Sequence, residues 1–125
     1  MTSVEHGYGI DDEGLDLLEE RGARIALGTD AGVCPHGENL RELGHLVELG
    51  MSPMAAIVAG TRTASELLGI SGEVGTLEAG KLADLVVTDA DPLRDIHALA
   101  GPAHIEIVMK EGVVVKDLGL VRTRP

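Results

Sequence analysis

Residues 3–28 constrain the fold of this chain most strongly, because an apolar stretch, an amphipathic stretch and a second apolar stretch follow one another in one short unit. Thr2–Glu5 reads as the tail of a strand, with Val4 apolar and His6-Gly7 at its end. A helix follows. Asp11 or Asp12 can cap it, Asp12 and Glu13 suit its first turn, Ile10, Leu17 and Leu18 share one face, and Gly22 ends it. Arg24–Leu27 is then a second strand. A strand–helix–strand crossover of this kind implies parallel strands joined right-handedly, so both strands end on the same side of a sheet. A closed eight-stranded α/β barrel takes roughly 250 residues, and with 125 residues anything barrel-like here is partial.

Three more helical segments follow. Asn39, with Glu42 three residues on in capping-box spacing, opens a helix that turns Leu40, Leu43 and Val47 inward before Gly50 stops it. Ser52 caps the next, Pro53 takes its first position, and Met54, Ile57 and Val58 form its apolar stripe. Thr61 caps a further turn through Ala64, Leu67 and Leu68, which Gly69 closes. Beyond Ile70–Gly72 the spacing changes from helical to strands and glycine-rich turns. Leu82–Thr88 reads as a strand, Asp91-Pro92 as a turn, Leu93–Leu99 as a short helix, and Ile105–Lys110 with Val113–Lys116 as a hairpin across Glu111-Gly112. The expected organisation is therefore two units, residues 1–70 and 71–125.

With no Trp or Phe and Tyr8 as the single aromatic residue, the core must be built from Leu, Val, Ile, Ala and Met, a soft but feasible packing. The formal net charge is −11. The imbalance is local: residues 1–50 hold 11 acids against 3 bases, and residues 51–125 hold 10 against 7. Nucleic-acid binding, which wants a clustered basic face, is disfavoured. One cysteine, Cys34, excludes an internal disulfide and suits a reducing compartment. No apolar run approaches the roughly 20 residues of a membrane span, and no charged-then-apolar leader opens the chain. The expectation is a cytoplasmic protein with neither membrane nor nucleic-acid partners.

Chemistry concentrates at the strand ends. Gly28-Thr29-Asp30-Ala31-Gly32 places a lone carboxylate directly after Ile25-Ala26-Leu27, between glycines that allow a sharp turn and a close ligand approach. Asp30 either caps the following turn or serves a site. His6 lies at the matching end of the first strand, and the two could face one site. Imidazole and carboxylate are the usual mixed ligands of zinc and related ions, which make water acidic enough to act as hydroxide near neutrality. A catalytic zinc takes three protein ligands, so His6 and Asp30 form a partial set unless His36, Cys34 or Glu5 joins them.

These residues resemble the C-terminal part of the amidohydrolase superfamily, over nearly the whole chain. Ser3-Val4-Glu5-His6-Gly7 resembles the end of the sixth barrel strand of that family, and Ala26-Leu27-Gly28-Thr29-Asp30-Ala31-Gly32 the eighth. His36-Gly37 through Glu42-Leu43, Gly50-Met51-Ser52-Pro53, Ala55-Ala56 and Thr61-Arg62-Thr63-Ala64-Ser65 are similar to the post-barrel helices of the imidazolonepropionase-like and Xaa-Pro-dipeptidase-like members. The most specific piece is Gly75-Thr76-Leu77-Glu78-Ala79-Gly80-Lys81-Leu82-Ala83-Asp84-Leu85-Val86-Val87, followed by Asp91-Pro92.

The resemblance implies an α/β fold, with the last βα units of a TIM barrel followed by part of a small β-sandwich. It implies metal-dependent hydrolysis of carbon–nitrogen bonds in small amides, cyclic amides or dipeptides, with zinc as the expected metal. His6 would be a metal ligand. Asp30 would be a ligand that also takes the proton of the attacking water and later hands it to the leaving nitrogen. His36 would contact substrate.

The departures from the family are specific. The paired histidines of its first strand, the lysine of its fourth and the histidine of its fifth have no counterpart, and Gly7–Ala23 leaves no room for a seventh strand. Strands made neighbours by that loss would end about 5 Å apart instead of roughly 10 Å. The β half would lack strands that the family draws from its N-terminal segment, leaving edges open to self-association. Three readings follow: a fragment with the lineage of a hydrolase and an incomplete site, a non-catalytic module that acts through partners or as a homo-oligomer, or a complete small metalloenzyme using His6, Asp30 and His36. His45, His97 and His104 read as surface or packing residues, and Lys81 and Asp84 as holding turn geometry at the start of a strand.

Overall fold

A computed structural model describes residues 11–30 and 36–119. Helix α1 runs Asp12–Glu20, α2 Arg41–Glu48, α3 Pro53–Val58 and α4 Ala64–Leu67, with a π-turn over Ala59–Thr63 that joins α3 to α4. Strands β1 (Leu85–Thr88), β2 (Ile105–Lys110) and β3 (Val113–Asp117) form one antiparallel sheet in the order β1-β2-β3. Two 3₁₀ turns, Ile96–Ala100 and Pro102–His104, fill the connection between β1 and β2.

Local signals explain most helix ends. Asp11 Oδ1 accepts from the Gly14 amide at 2.9 Å, and Gly22 leaves α1 with φ +69°. Ser52 Oγ accepts from the Ala55 amide at 3.2 Å while Pro53 takes the first position of α3. Gly50 and Gly69 end α2 and α4 in left-handed conformations. Ser52→Ala is expected to cost about 1 kcal/mol of stability, read as a lower midpoint in thermal unfolding followed by circular dichroism.

Two helix-start signals behave otherwise. The capping box at Asn39 does not form: Leu40 occupies the cap position in helical geometry with no side-chain bond, and the Asn39 carbonyl accepts from the Glu42 amide instead. Thr61 caps nothing either. Its hydroxyl donates to the Ile57 carbonyl at 2.7 Å, inside a helical run that passes through the π-turn without stopping.

The expected strand Arg24–Leu27 is not a strand among the described residues. A strand needs a ladder, and Thr2–Glu5, its expected neighbour, lies outside the described residues. The Leu27 amide donates to the carbonyl of Ala59 at 3.1 Å, so a helix holds this segment where a sheet was expected. Among the described residues the sheet is a single antiparallel layer of three strands, and the strand Thr2–Glu5 expected for the barrel portion lies outside them.

The β half follows its turn chemistry. Glu111 and Gly112 both have positive φ, +51° and +80°, the backbone of a two-residue turn whose twist matches the flanking strands. The hairpin tip is pinned from outside: Asp84 Oδ1 accepts from the Glu111 amide at 2.6 Å, and the Ala83 carbonyl accepts from the Gly112 amide at 3.1 Å. Strand β1 starts at Leu85, later than expected, because the Leu82 amide closes a loop onto the Glu73 carbonyl at 2.8 Å.

The buried cluster is Leu43, Ala56, Ile96, Leu99 and Ile105, with Leu27, Leu40, Leu46, Val47, Ile57 and Val108 packed against it. It joins α2 and α3 to the first 3₁₀ turn and β2. Small residues set the spacing, with Ala56 and Ala59 almost fully covered. Met54, expected in the buried stripe of α3, is half exposed instead, and the buried residue of that helix is Ala56.

Candidate functional site

Asp30 closes the segment that begins at Arg24. Ile25, Ala26 and Leu27 are half-buried, Gly28 is exposed, and Asp30 itself is exposed with φ +46°. Left-handed backbone at a residue other than glycine is uncommon, and Asp is among the few side chains that tolerate it. The sequence placed the sharp turn on the flanking glycines; the structure gives Asp30 itself a positive φ and Gly28 none, while Gly32 lies outside the described residues. His36 is exposed in the turn that leads toward α2. His6, Cys34 and Glu5 lie outside the described residues.

The expected metal ligands, the His6 imidazole and the Asp30 carboxylate, are of the types that divalent ions take. Among the described residues, though, no group of three or more His, Cys, Asp or Glu side chains is placed to hold a metal ion. Of the two expected ligands, Asp30 lies among the described residues and His6 outside them.

Two shallow cavities lie away from Asp30. One, of about 190 Å³, is walled by Ala23–Ile25 against Met51, Ala55, Val58 and Thr63. The other, of about 280 Å³, opens beside Thr76–Glu78 and Lys81–Ala83. The second sits in the most specific stretch of the sequence, and its polar groups are internally engaged. Lys81 Nζ donates to Thr76 Oγ1 at 2.5 Å, and Thr76 Oγ1 donates to Glu78 Oε1 at 2.7 Å. The Thr76 hydroxyl, and then the Lys81 charge, hold the Glu78 carboxyl below its ordinary value of 4.5. A depressed carboxyl stabilises the fold above its unfolded value and loses that contribution as pH falls through the folded value. Lys110 behaves oppositely: its bond to Glu111, followed by the charges of Asp84 and Glu111, raises it above 10.5, so its contribution is complete below that pH and is lost in stronger base. Lys81 and Asp84 thus hold turns, as the sequence suggested.

The three remaining histidines are engaged at the surface. His104 Nδ1 lies 2.8 Å from Asp89 Oδ1, and the Asp89 amide donates back to the His104 carbonyl. Glu48 on α2 sits between His45 Nδ1 at 3.2 Å and His97 Nε2 at 3.9 Å. The His97 ring lies against Gly44, where an added Cβ would come within 2.7 Å of its Nδ1. Sequence reasoning missed this contact; its one local signal was a glycine in the middle of a helix.

Residues 14–115 match the family model described as "Amidohydrolase family". The chain belongs to the amidohydrolase family. The matched span includes Asp30 and His36 and begins after His6. Among curated relatives, the imidazolonepropionase of Rubrobacter xylanophilus is 37% identical over 108 residues, covering 83% of this chain and 26% of its own length. The ochratoxinase of Aspergillus niger is 37% identical over 101 residues, covering 79% and 21%. Among solved structures, a putative prolidase from Bifidobacterium longum superposes with a TM-score of 0.77 at 38% identity, covering 89% of this chain and 27% of that one. A Xaa-Pro dipeptidase with methionine bound in its active site gives 0.75 at 38% identity, covering 84% and 25%. The chain thus spans about a quarter of the relatives that it matches. These amidohydrolase neighbours imply a TIM-barrel family. No helix of the described residues is long and apolar enough to cross a membrane.

Proposed function

We propose that this chain carries the Asp30 position of a metal-dependent hydrolase of carbon–nitrogen bonds in small amides, cyclic amides or dipeptides, with a ligand set that the described residues do not complete. The observation that carries the reading is the family match across Asp30, combined with the left-handed backbone that presents this carboxylate at the end of an apolar segment. His6 and Asp30 would hold a divalent metal, zinc foremost, which supplies Lewis-acid activation of water. Asp30 takes the proton of the attacking water and returns it to the leaving nitrogen, a general base turned general acid. His36, in the same matched span, contacts the substrate.

The test loads the purified chain with Zn²⁺, measures retained metal after dialysis, and follows hydrolysis of an Xaa-Pro dipeptide. The expected outcome is loosely held metal with little turnover. Tight one-to-one zinc would contradict the incomplete set.

A second reading, a non-catalytic module acting by self-association, is favoured by the apolar side chains exposed on and just after β3, Val113, Val115 and Leu118. Sedimentation of the same preparation as a monomer at all concentrations would count against it.

A further inference from the structure

The segment that ends in Asp30 takes its support from one irregular place in the helical layer. The Leu27 amide donates to the carbonyl of Ala59, the first residue of the π-turn. Next to it, Gly60 lies beside the same segment: a Cβ there would meet Leu27 Cδ1 at 3.6 Å, Leu27 Cβ at 3.7 Å and Leu43 Cδ2 at 3.4 Å, ordinary contact that leaves no room for a larger side chain. The backbone of Leu27 is thus bonded to one residue of the turn, and its side chain lies beside the next. The far side of the turn is braced as well. Ser65, almost fully buried, donates to the Arg62 carbonyl at 2.8 Å, and Gly75 presses against Ser65 and the Thr61 carbonyl. Wide turns of this kind are rare and recur at functional sites. Here contacts run without a break from Gly75 through the π-turn to Leu27, three residues before Asp30.

We infer that the π-turn Ala59–Thr63 is the positioning element for Asp30, with Gly60 as its positioning residue. The inference rests on the reading of Asp30 as a metal ligand. It also gives the glycine-rich stretch from Gly75 a role: it backs the turn that seats the site. A carboxylate on a segment tied at one amide and one side chain moves when either contact is displaced.

Amide NMR of the full chain, first metal-free and then titrated with Zn²⁺, reads both consequences. Gly60→Val places a branched side chain where Leu27 and Leu43 already lie. The Asp30 amide resonance is expected to move while those of β2 and β3 stay, and Zn²⁺ affinity is expected to fall roughly 10-fold, the scale of changes to groups that support metal ligands. Gly60→Ala, whose Cβ meets Leu27 at ordinary contact distance, should keep wild-type affinity. If Gly60→Val does not fold, Leu27→Ala removes the same contact from the other side and carries the same two expectations. An unmoved Asp30 resonance in the folded variant overturns the inference. So does retained Zn²⁺ affinity where Asp30→Asn weakens binding, and that result leaves the ligand reading intact. Unchanged affinity in Asp30→Asn removes the ligand reading, and the positioning role falls with it.

Discussion

Gly75→Ala is expected to destabilise the chain by about 3 kcal/mol, from roughly 1–2 kcal/mol of left-handed backbone and a further 1–3 kcal/mol of overpacking. Gly75 has φ +94°, and an added Cβ would fall inside contact distance of Ser65 Oγ, 2.7 Å from Ser65 Cβ and 3.2 Å from the Thr61 carbonyl. Ser65 is buried and its hydroxyl is committed to the Arg62 carbonyl, so the crowding falls on side-chain and backbone atoms that cannot swing into solvent. Gly80 separates the two causes: its φ is +93°, with nothing within 4 Å of an added Cβ. Gly80→Ala should cost only the backbone part, about 1 kcal/mol. Urea unfolding of the two variants measures the difference, and equal losses would contradict the packing of Gly75 against the π-turn.

What the sequence made legible was local. Ser52-Pro53 announced α3, Gly50 and Gly69 marked helix ends, and Glu111-Gly112 specified the hairpin, because each signal acts through its own backbone angles or a bond spanning three residues. Where the reading failed, the deciding contact was distant in sequence. Arg24–Leu27 has the composition of a buried strand, yet the Leu27 amide bonds to Ala59, a partner that no pattern within the segment could reveal. Asn39 and Glu42 have capping-box spacing, but Leu40 is already helical and takes the cap position, so spacing alone did not form the box. Gly44 and His97 meet only because the first 3₁₀ turn packs on α2.

The site was legible in a similar, limited way. Apolar residues followed by an isolated carboxylate between glycines singled out Asp30, and the structure adds that the unusual backbone angle is at Asp30 itself. The support from the π-turn was not legible: Thr61 looked like a helix cap, and a continuous helical run with one widened turn leaves no mark in residue spacing. The glycine-rich stretch from Gly75 read as kinship and turn geometry, and its packing against Ser65 depends on a fold that brings residues ten apart into contact.

Asp30→Asn is the second substitution with a large expected effect, since it keeps the shape of the side chain while removing its charge and its capacity to accept a proton. Asp30 is exposed and lies outside the buried cluster, and Asn tolerates left-handed backbone as Asp does; unfolding measured beside metal binding separates a ligand role from a structural one. Calorimetric titration of Zn²⁺ into the wild-type chain and into Asp30→Asn tests the central claim most directly. A weak wild-type isotherm that loses roughly 10-fold or more in affinity on substitution, in a variant that stays folded, is the predicted result. Indistinguishable isotherms for the two proteins would contradict it.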